Sequence, residues 1–408
     1  MRCALAAAFL AVAGCGDDGT AMSPPDAGGA ADDAGGDAGG GTSPLEHLTP
    51  TSAAALSPGN AAGQDEDPSI VRALDGALYV AWYSNRNGAQ PEDGVPDREI
   101  FLARSEDGRA WTDPPIQLTR HPRYSFYPSL AQDESGTFHL AWWRVTPTPE
   151  GCVPDVDCDG GATYRVMYKS SPNGADWSLD EETAIADGPG DLLPSLVVDR
   201  AAHRLLAYFA SVTRAADGTV DLGDGVLRVY LSVHDGSGWS APQRLLGVDT
   251  DASHDTFPHV VQRGDGTFAM TWTRYDAAAS ADALRPLMDP TTDTMFSTSD
   301  DGLHWAAPVV MSDGGAQSAI DALPYLYASQ DGVTWQVLWI TTAGAAPGAG
   351  RVIELAIGGA YPGDVVERPE IRGYSGHILA TATPGIYWGV WVEGPMERQK
   401  IMHAFFEK

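Results

Sequence analysis

Six segments of this chain keep one internal ruler, and no other feature restricts its fold as much. Pro68, Pro128, Pro194, Pro258 and Pro324, with His377 in the same slot, follow one another at intervals of 60, 66, 64, 66 and 53 residues. Eight residues after each stands a turn residue: Gly76, Gly136, Ala202, Gly266, Gly332 and Gly385. Six residues further on comes Trp82, Trp142, Tyr208, Trp272, Leu338 or Trp391. A repeat of this length is the mark of a modular architecture in which each unit buries its faces against its neighbours.

Within each unit the pattern is that of strands. Ser69-Ile70-Val71 and Leu78 to Trp82 alternate in the manner of two strands joined by a tight Gly turn. A third strand follows, as in Ile100 to Ser105, Arg165 to Ser170, Leu227 to Ser232 and Thr294 to Ser299. Each ends in a turn of the form Asp or Asn, Gly, two residues, Trp: Asp107 to Trp111, Asn173 to Trp177, Asp235 to Trp239 and Asp301 to Trp305. The Asp accepts bonds from turn amides, the Gly supplies positive φ and the Trp packs between sheets. A fourth strand, such as Ile116 to Thr119 or Val309 to Ser312, completes the unit. Four-stranded units at this period predict an all-β chain, a six-bladed β-propeller of antiparallel blades over residues 45–408. The last unit reaches the C-terminus at its third strand, Ile401 to Phe406, so a segment near Ala53 to Ser57 is expected to supply the missing outer strand and close the ring.

The N-terminus has a different character. Residues 1–14 read as a secretory signal, with Arg2 ahead of an apolar run from Ala4 to Ala13. Val12-Ala13-Gly14-Cys15 resembles the lipobox of bacterial lipoproteins, which implies cleavage before Cys15 and its acylation. Gly16 after the Cys implies, by the same resemblance, the outer membrane, hence a cell-envelope protein held by its lipid. Residues 15–44 are rich in Gly, Ala and Asp without a Lys or Arg, a composition expected to stay an extended tether. Of the four cysteines, Cys152 and Cys158 remain, and an oxidising compartment favours a local disulfide between them.

With 25 Lys and Arg against 55 Asp and Glu the net charge is -30, which repels phosphate backbones and excludes nucleic acid as a partner. A monomer is expected, and the partner classes left open are a glycan or an extracellular protein.

The turns that end the third strands resemble the Asp-box of the sialidase and BNR-repeat superfamily. Thr298 to Trp305 follows the family form in full, and the other three keep Gly and Trp. Asn85 to Asp97, followed by Glu99 to Ser105, resembles the sialidase segment bearing the acid/base Asp, which implies that role for Asp93 or Asp97. Gly373-Tyr374-Ser375, with Gly385 and Glu393, resembles the segment of the tyrosine nucleophile and points to Tyr374. Sialidases hold their substrate carboxylate with three arginines, the first in an Arg-Ile-Pro motif, and here the corresponding residues are Glu66-Asp67-Pro68. Arg144 and Arg274, each just past a second strand, are candidates to orient a sugar, with Arg86 in a similar place.

Three residues before the Pro slots stand Asp65, Ser125, Asp191, Asp255, Asp321 and Tyr374. Four Asp around a channel mouth suit sugar hydroxyls, a cation or paired carboxylates, and equally suit caps on the turns entering each strand. Asp155, Asp157 and Asp159, followed by Gly160, alternate as oxygen ligands do in a Ca2+ loop, although Val166 stands where an EF-hand has its bidentate Glu. Two functions therefore remain: a glycan- or partner-binding propeller with an acidic top face, or an exo-acting sialidase-like glycoside hydrolase. The acidic funnel suits a neutral, cationic or metal-bridged glycan better than sialic acid.

Overall fold

The computed structural model describes residues 54–56, 63–86, 97–120, 124–146, 163–179, 181–186, 190–212, 226–245, 247–248, 253–276, 292–311, 321–328, 335–341, 351–357, 365–367, 374–380, 386–393 and 399–407. They form an all-β propeller of four-stranded antiparallel blades with no helix among them. After β1 (Ala54–Ala55), the first sheet holds β2 (Asp65–Arg72), β3 (Leu78–Ser84), β4 (Glu99–Ser105) and β5 (Ile116–Gln117). The second holds β6 (Tyr124–Gln132), β7 (Phe138–Thr146), β8 (Thr163–Ser171) and β9 (Thr183–Ala186), and the third β10 (Asp191–Asp199), β11 (Arg204–Val212), β12 (Leu227–His234) and β13 (Gln243–Arg244). The fourth is β14 (Ser253–Gln262), β15 (Phe268–Asp276), β16 (Asp293–Ser299) and β17 (Val309–Val310). The fifth is β18 (Asp321–Ala328), β19 (Trp335–Thr341), β20 (Arg351–Ile357) and β21 (Val365–Glu367). In the last sheet β22 (Tyr374–Ala380), β23 (Ile386–Glu393) and β24 (Lys400–Glu407) are joined by β1, in the order β1-β24-β23-β22. Ala54 pairs with His403 and Ala55 with Met402, so the segment expected to close the ring does so.

The Pro ruler has a physical cause. In every inner strand the register slips at the Pro slot: between Glu66 and Ser69, Phe126 and Ser129, Leu192 and Ser195, Thr256 and His259, Ala322 and Tyr325, and Tyr374 and His377. A bulge leaves one residue out of the ladder, and Pro, with no N–H to strand there, fits that place. The residue before it turns left-handed, with φ of 48° at Asp67, 47° at Tyr127, 57° at Leu193, 52° at Phe257 and 54° at Leu323. Bulky residues reach this region at a cost of about 1–2 kcal/mol each, so the same local strain is borne in five sheets.

In four sheets the residue after the Pro ties its sheet to the next. Ser69 Oγ accepts from Leu130 N at 3.0 Å, Ser129 Oγ from Leu196 N at 2.8 Å and Ser195 Oγ from Val260 N at 2.9 Å. In the fourth sheet His259 Nδ1 takes over, accepting from Leu326 N at 3.1 Å. Ser195→Ala should leave the Val260 amide buried without its acceptor and cost about 1–3 kcal/mol, read as a lower urea midpoint at unchanged m-value. An unchanged midpoint would show that the clamp adds nothing.

The Asp-box turns behave as their residues predict. Asp107 Oδ1 accepts from Arg109 N and Ala110 N, both at 2.8 Å, and Asp301 Oδ1 accepts from Leu303 N and His304 N, also at 2.8 Å. Gly108, Gly174 and Gly302 take φ of 69°, 73° and 71°. The box Trp then reaches the preceding sheet: Trp111 stacks on Trp388 at 5.4 Å, Trp239 meets Tyr168 at 5.2 Å and Trp305 meets Tyr208 at 5.7 Å. Middle strands such as β3, buried at all seven positions, are covered on both faces by neighbouring sheets.

Candidate functional site

The strand pairings gather the residues singled out from the sequence at one end of the propeller. Asp65 lies opposite Ser84, Ser125 opposite Arg144, Asp191 opposite Ser211, Asp255 opposite Arg274, Asp321 opposite Thr341 and Tyr374 opposite Val392. Inner strands start and second strands finish here, whereas the Asp-boxes follow the third strands at the other end. One register thus fixes a common face.

At that face Asp65 and Asp255 brace the strands behind them. Asp255 is 0 % exposed; its Oδ1 accepts from Trp272 Nε1 and from Arg274 Nε, both at 2.7 Å. Asp65, 1 % exposed, accepts from Trp82 Nε1 at 3.1 Å and from Arg86 at 2.9 Å. Arg86 also lies 5.2 Å over the Trp82 ring, and Arg274 lies 5.7 Å over Trp272. Asp191 accepts from Ser211 Oγ at 2.6 Å. Asp65, Asp191 and Asp255 thus bond to side chains on or just beyond their own second strands, at the face where the sequence places candidate ligand-binding carboxylates.

The arginines follow suit. Arg144, buried, pairs with Glu182, which Lys169 Nζ also approaches at 3.4 Å. Arg274 pairs with Asp255 and also donates to the Val248 carbonyl, and Arg86 pairs with Asp65. Each expected sugar-orienting guanidinium is therefore neutralised within its own blade. Glu182 was not visible as a partner because it lies 38 residues beyond Arg144.

Of the remaining candidates, Asp97 stands half-buried just ahead of β4. Tyr374 and Asp321 have described backbones, at the heads of β22 and β18. Asp93, the Asp155, Asp157 and Asp159 series, Cys15, Cys152 and Cys158 lie outside the described residues. Among the described residues no group of three or more His, Cys, Asp or Glu could hold a metal ion.

The site that the sequence reading missed is the axis itself. The left-handed bulges turn Asp67, Tyr127, Leu193 and Phe257 toward a central cavity of about 60 Å3, with His259 and Tyr325 from the following slots. Tyr127 and Phe257 meet edge to face at 5.8 Å, and Tyr127 stacks on Trp143 at 5.9 Å. Burial pushes the His259 imidazole down to about 4, so it is neutral at pH 7. Beside the axis, Glu66 accepts from the Tyr83 hydroxyl, and burial together with that carboxylate holds the phenol well above its ordinary value. Arg98, near enough to pull against that rise, donates to Gln64 Oε1 at 3.0 Å and lies 5.5 Å over Tyr124. The signal for this lining was the residue before each Pro, an acid in one unit and aromatic in two.

No protein-family model matches the chain, and no curated protein matches its sequence. Solved structures share the fold at low identity. An α-L-arabinanase of Penicillium chrysogenum, solved with arabinobiose, is 14 % identical with a TM-score of 0.59, over 88 % of this chain and 99 % of that one. A protein of unknown function from Dyadobacter fermentans gives 15 % and 0.61, over 88 % and 98 %. The NanB sialidase of Streptococcus pneumoniae gives 10 % and 0.54, over 89 % of this chain and 70 % of that one. At these identities the likeness is one of fold.

Proposed function

We propose that this chain is a glycan-binding propeller, its six sheets serving as six blades, that takes a sugar at the axial mouth. One observation carries the reading: Tyr127, Phe257 and Tyr325 from three different sheets line a cavity together with a carboxylate, Asp67. Aromatic faces stack on the C–H faces of sugars, and a carboxylate accepts from their hydroxyls, the usual composition of a concave polar-ligand site. Sialic acid is disfavoured, since Asp67 is the acidic residue among the described lining and Arg86, Arg144 and Arg274 are held by Asp65, Glu182 and Asp255. The lipobox at Cys15 would hold such a receptor at the cell envelope, and the Asp155 loop would add Ca2+ as a structural ligand.

Calorimetric titration with neutral and sialylated oligosaccharides tests the reading. Neutral or cationic chains should bind, and Tyr127→Ala should weaken them about tenfold or more, the 1.4 kcal/mol that loss of a stacking ring supplies. Preference for the sialylated chain would overturn it. The hydrolase reading is favoured by the shared fold with an arabinanase and a sialidase. It requires turnover of aryl glycosides that Tyr374→Phe abolishes.

A further inference from the structure

We propose that the head of the second sheet binds a small anion, of chloride size, through Ser125, Trp142 and Arg144. The first and fourth sheets show what this position does in the fold. There an inner-strand carboxylate accepts from a second-strand indole and from an arginine: Asp65 from Trp82 Nε1 and Arg86, Asp255 from Trp272 Nε1 and Arg274 Nε. The second sheet keeps the donors and has Ser125 in place of the acid. Ser125 lies opposite Arg144 as Asp255 lies opposite Arg274, and Arg144 lies 5.5 Å over the Trp142 ring where Arg274 lies 5.7 Å over Trp272. Trp142 Nε1 and Arg144 Nε are the counterparts of the two atoms that meet at Asp255 Oδ1. Both are buried without a hydrogen-bond partner among the described residues, and so is Ser125 Oγ.

The chemistry of these three groups selects the occupant. Indole and guanidinium N–H groups can only donate, and the Ser125 hydroxyl can turn to donate as well. An anion accepts from all three, and the bond from the guanidinium is charge-assisted. A water accepting from both N–H groups would have its own two hydrogens to place, for which Ser125 Oγ offers one acceptor. Size sets the limit: a hydroxyl in place of a carboxylate frees space for a single-atom ion, not for the carboxylate of a sugar. The pairing with Glu182 engages Arg144 Nη2 and leaves Nε, and Lys169 Nζ approaches the same carboxylate at 3.4 Å. Lys169 also feels Glu99 of the first sheet, so the directed N–H groups, not an excess of positive charge, hold the anion. The net charge of -30 opposes binding weakly, since salt screens exposed charges beyond about 10 Å.

Melting of the full chain is followed while chloride replaces gluconate at constant ionic strength, and crystals grown in bromide are measured for anomalous scattering. Chloride should raise the melting temperature, by about 2 °C at about ten times its dissociation constant. Bromide should give a peak between Trp142 Nε1, Ser125 Oγ and Arg144 Nε. Ser125→Asp supplies within the chain the carboxylate that the first and fourth sheets have. It should therefore melt independently of chloride, and no lower than the wild-type chain does in gluconate. A wild-type melting temperature indifferent to chloride, a water in place of the bromide peak, or a chloride dependence that Ser125→Asp leaves intact overturns the inference.

Discussion

Asp255→Ala is expected to be among the most damaging single substitutions in the chain, costing about 3–5 kcal/mol because it strands a half-buried cation and a buried indole at once. Asp255 is fully buried and joins Trp272 Nε1 to Arg274. Removing its carboxylate leaves the guanidinium, 17 % exposed, with poor access to water, and leaves the Trp272 N–H without its acceptor. Asp255→Asn keeps one oxygen for the indole and should cost less. Urea unfolding of the two variants measures the difference, and a melting temperature lower by roughly 5–10 °C should accompany the Ala change. Should Asp255→Ala instead keep wild-type stability and lose ligand binding, Asp255 would be assigned to binding and not to bracing.

That substitution marks where the sequence stops being legible. The blades were readable because each strand, turn and box carries its own local chemistry: Asp301 and Gly302 form the same turn whatever surrounds them. The pairing of Ala54 and Ala55 with β24 was readable too, since a third strand ending at the C-terminus leaves an edge to be covered. The role of the Asp ring was not, because bracing the neighbouring strand, capping a turn and binding a ligand ask for the same residue at the same place. A finer pattern was present: Asp65 and Asp255 each precede a Trp by 17 residues, with an Arg soon after it. Where the second sheet has Ser125 in place of the Asp, Arg144 turns to Glu182.

The axial lining was hidden for a different reason. Tyr127, Leu193, Phe257 and Leu323 are residues for which positive φ is unfavourable, so local preference argued for plain strands. The register slip at the Pro, fixed by packing of neighbouring sheets around the axis, overrides that preference in five inner strands. It turns toward the cavity side chains that a regular strand would direct elsewhere. Tertiary context, repeated around the ring, created the candidate site.

The other large effect expected is loss of stability in mild acid through two imidazoles lodged between sheets. Burial pushes both His259 and His403 down to about 4 from an ordinary value of 6.5. Each accepts a bond that its protonated form cannot accept: His259 Nδ1 from Leu326 N at 3.1 Å, and His403 Nε2 from Trp111 Nε1 at 3.2 Å. A depressed folded-state value means that the neutral form is the one the fold prefers. The contribution is complete above pH 6.5, where both states are neutral, and is lost as the pH falls from 6.5 to 4, where unfolded imidazoles gain protons that folded ones refuse. Each shift is worth about 3 kcal/mol at its limit, against a total stability of about 5–15 kcal/mol. His139, lowered by burial against the opposing pull of Asp133, adds in the same direction. Carboxylates such as Asp301, held far below their usual range, act only at still lower pH, so the fall between 6.5 and 4 belongs to the imidazoles. Urea midpoints taken from pH 7.5 to 4.5 should drop steeply, and His403→Gln and His259→Gln should each flatten the drop while lowering the neutral-pH midpoint. The seams concerned join the fourth sheet to the fifth and the last to the first, where β1 closes the ring. Acid should therefore open the propeller at its closure first, visible as early hydrogen exchange in β1 and β24. A pH profile that both variants leave unchanged would remove these imidazoles from the account.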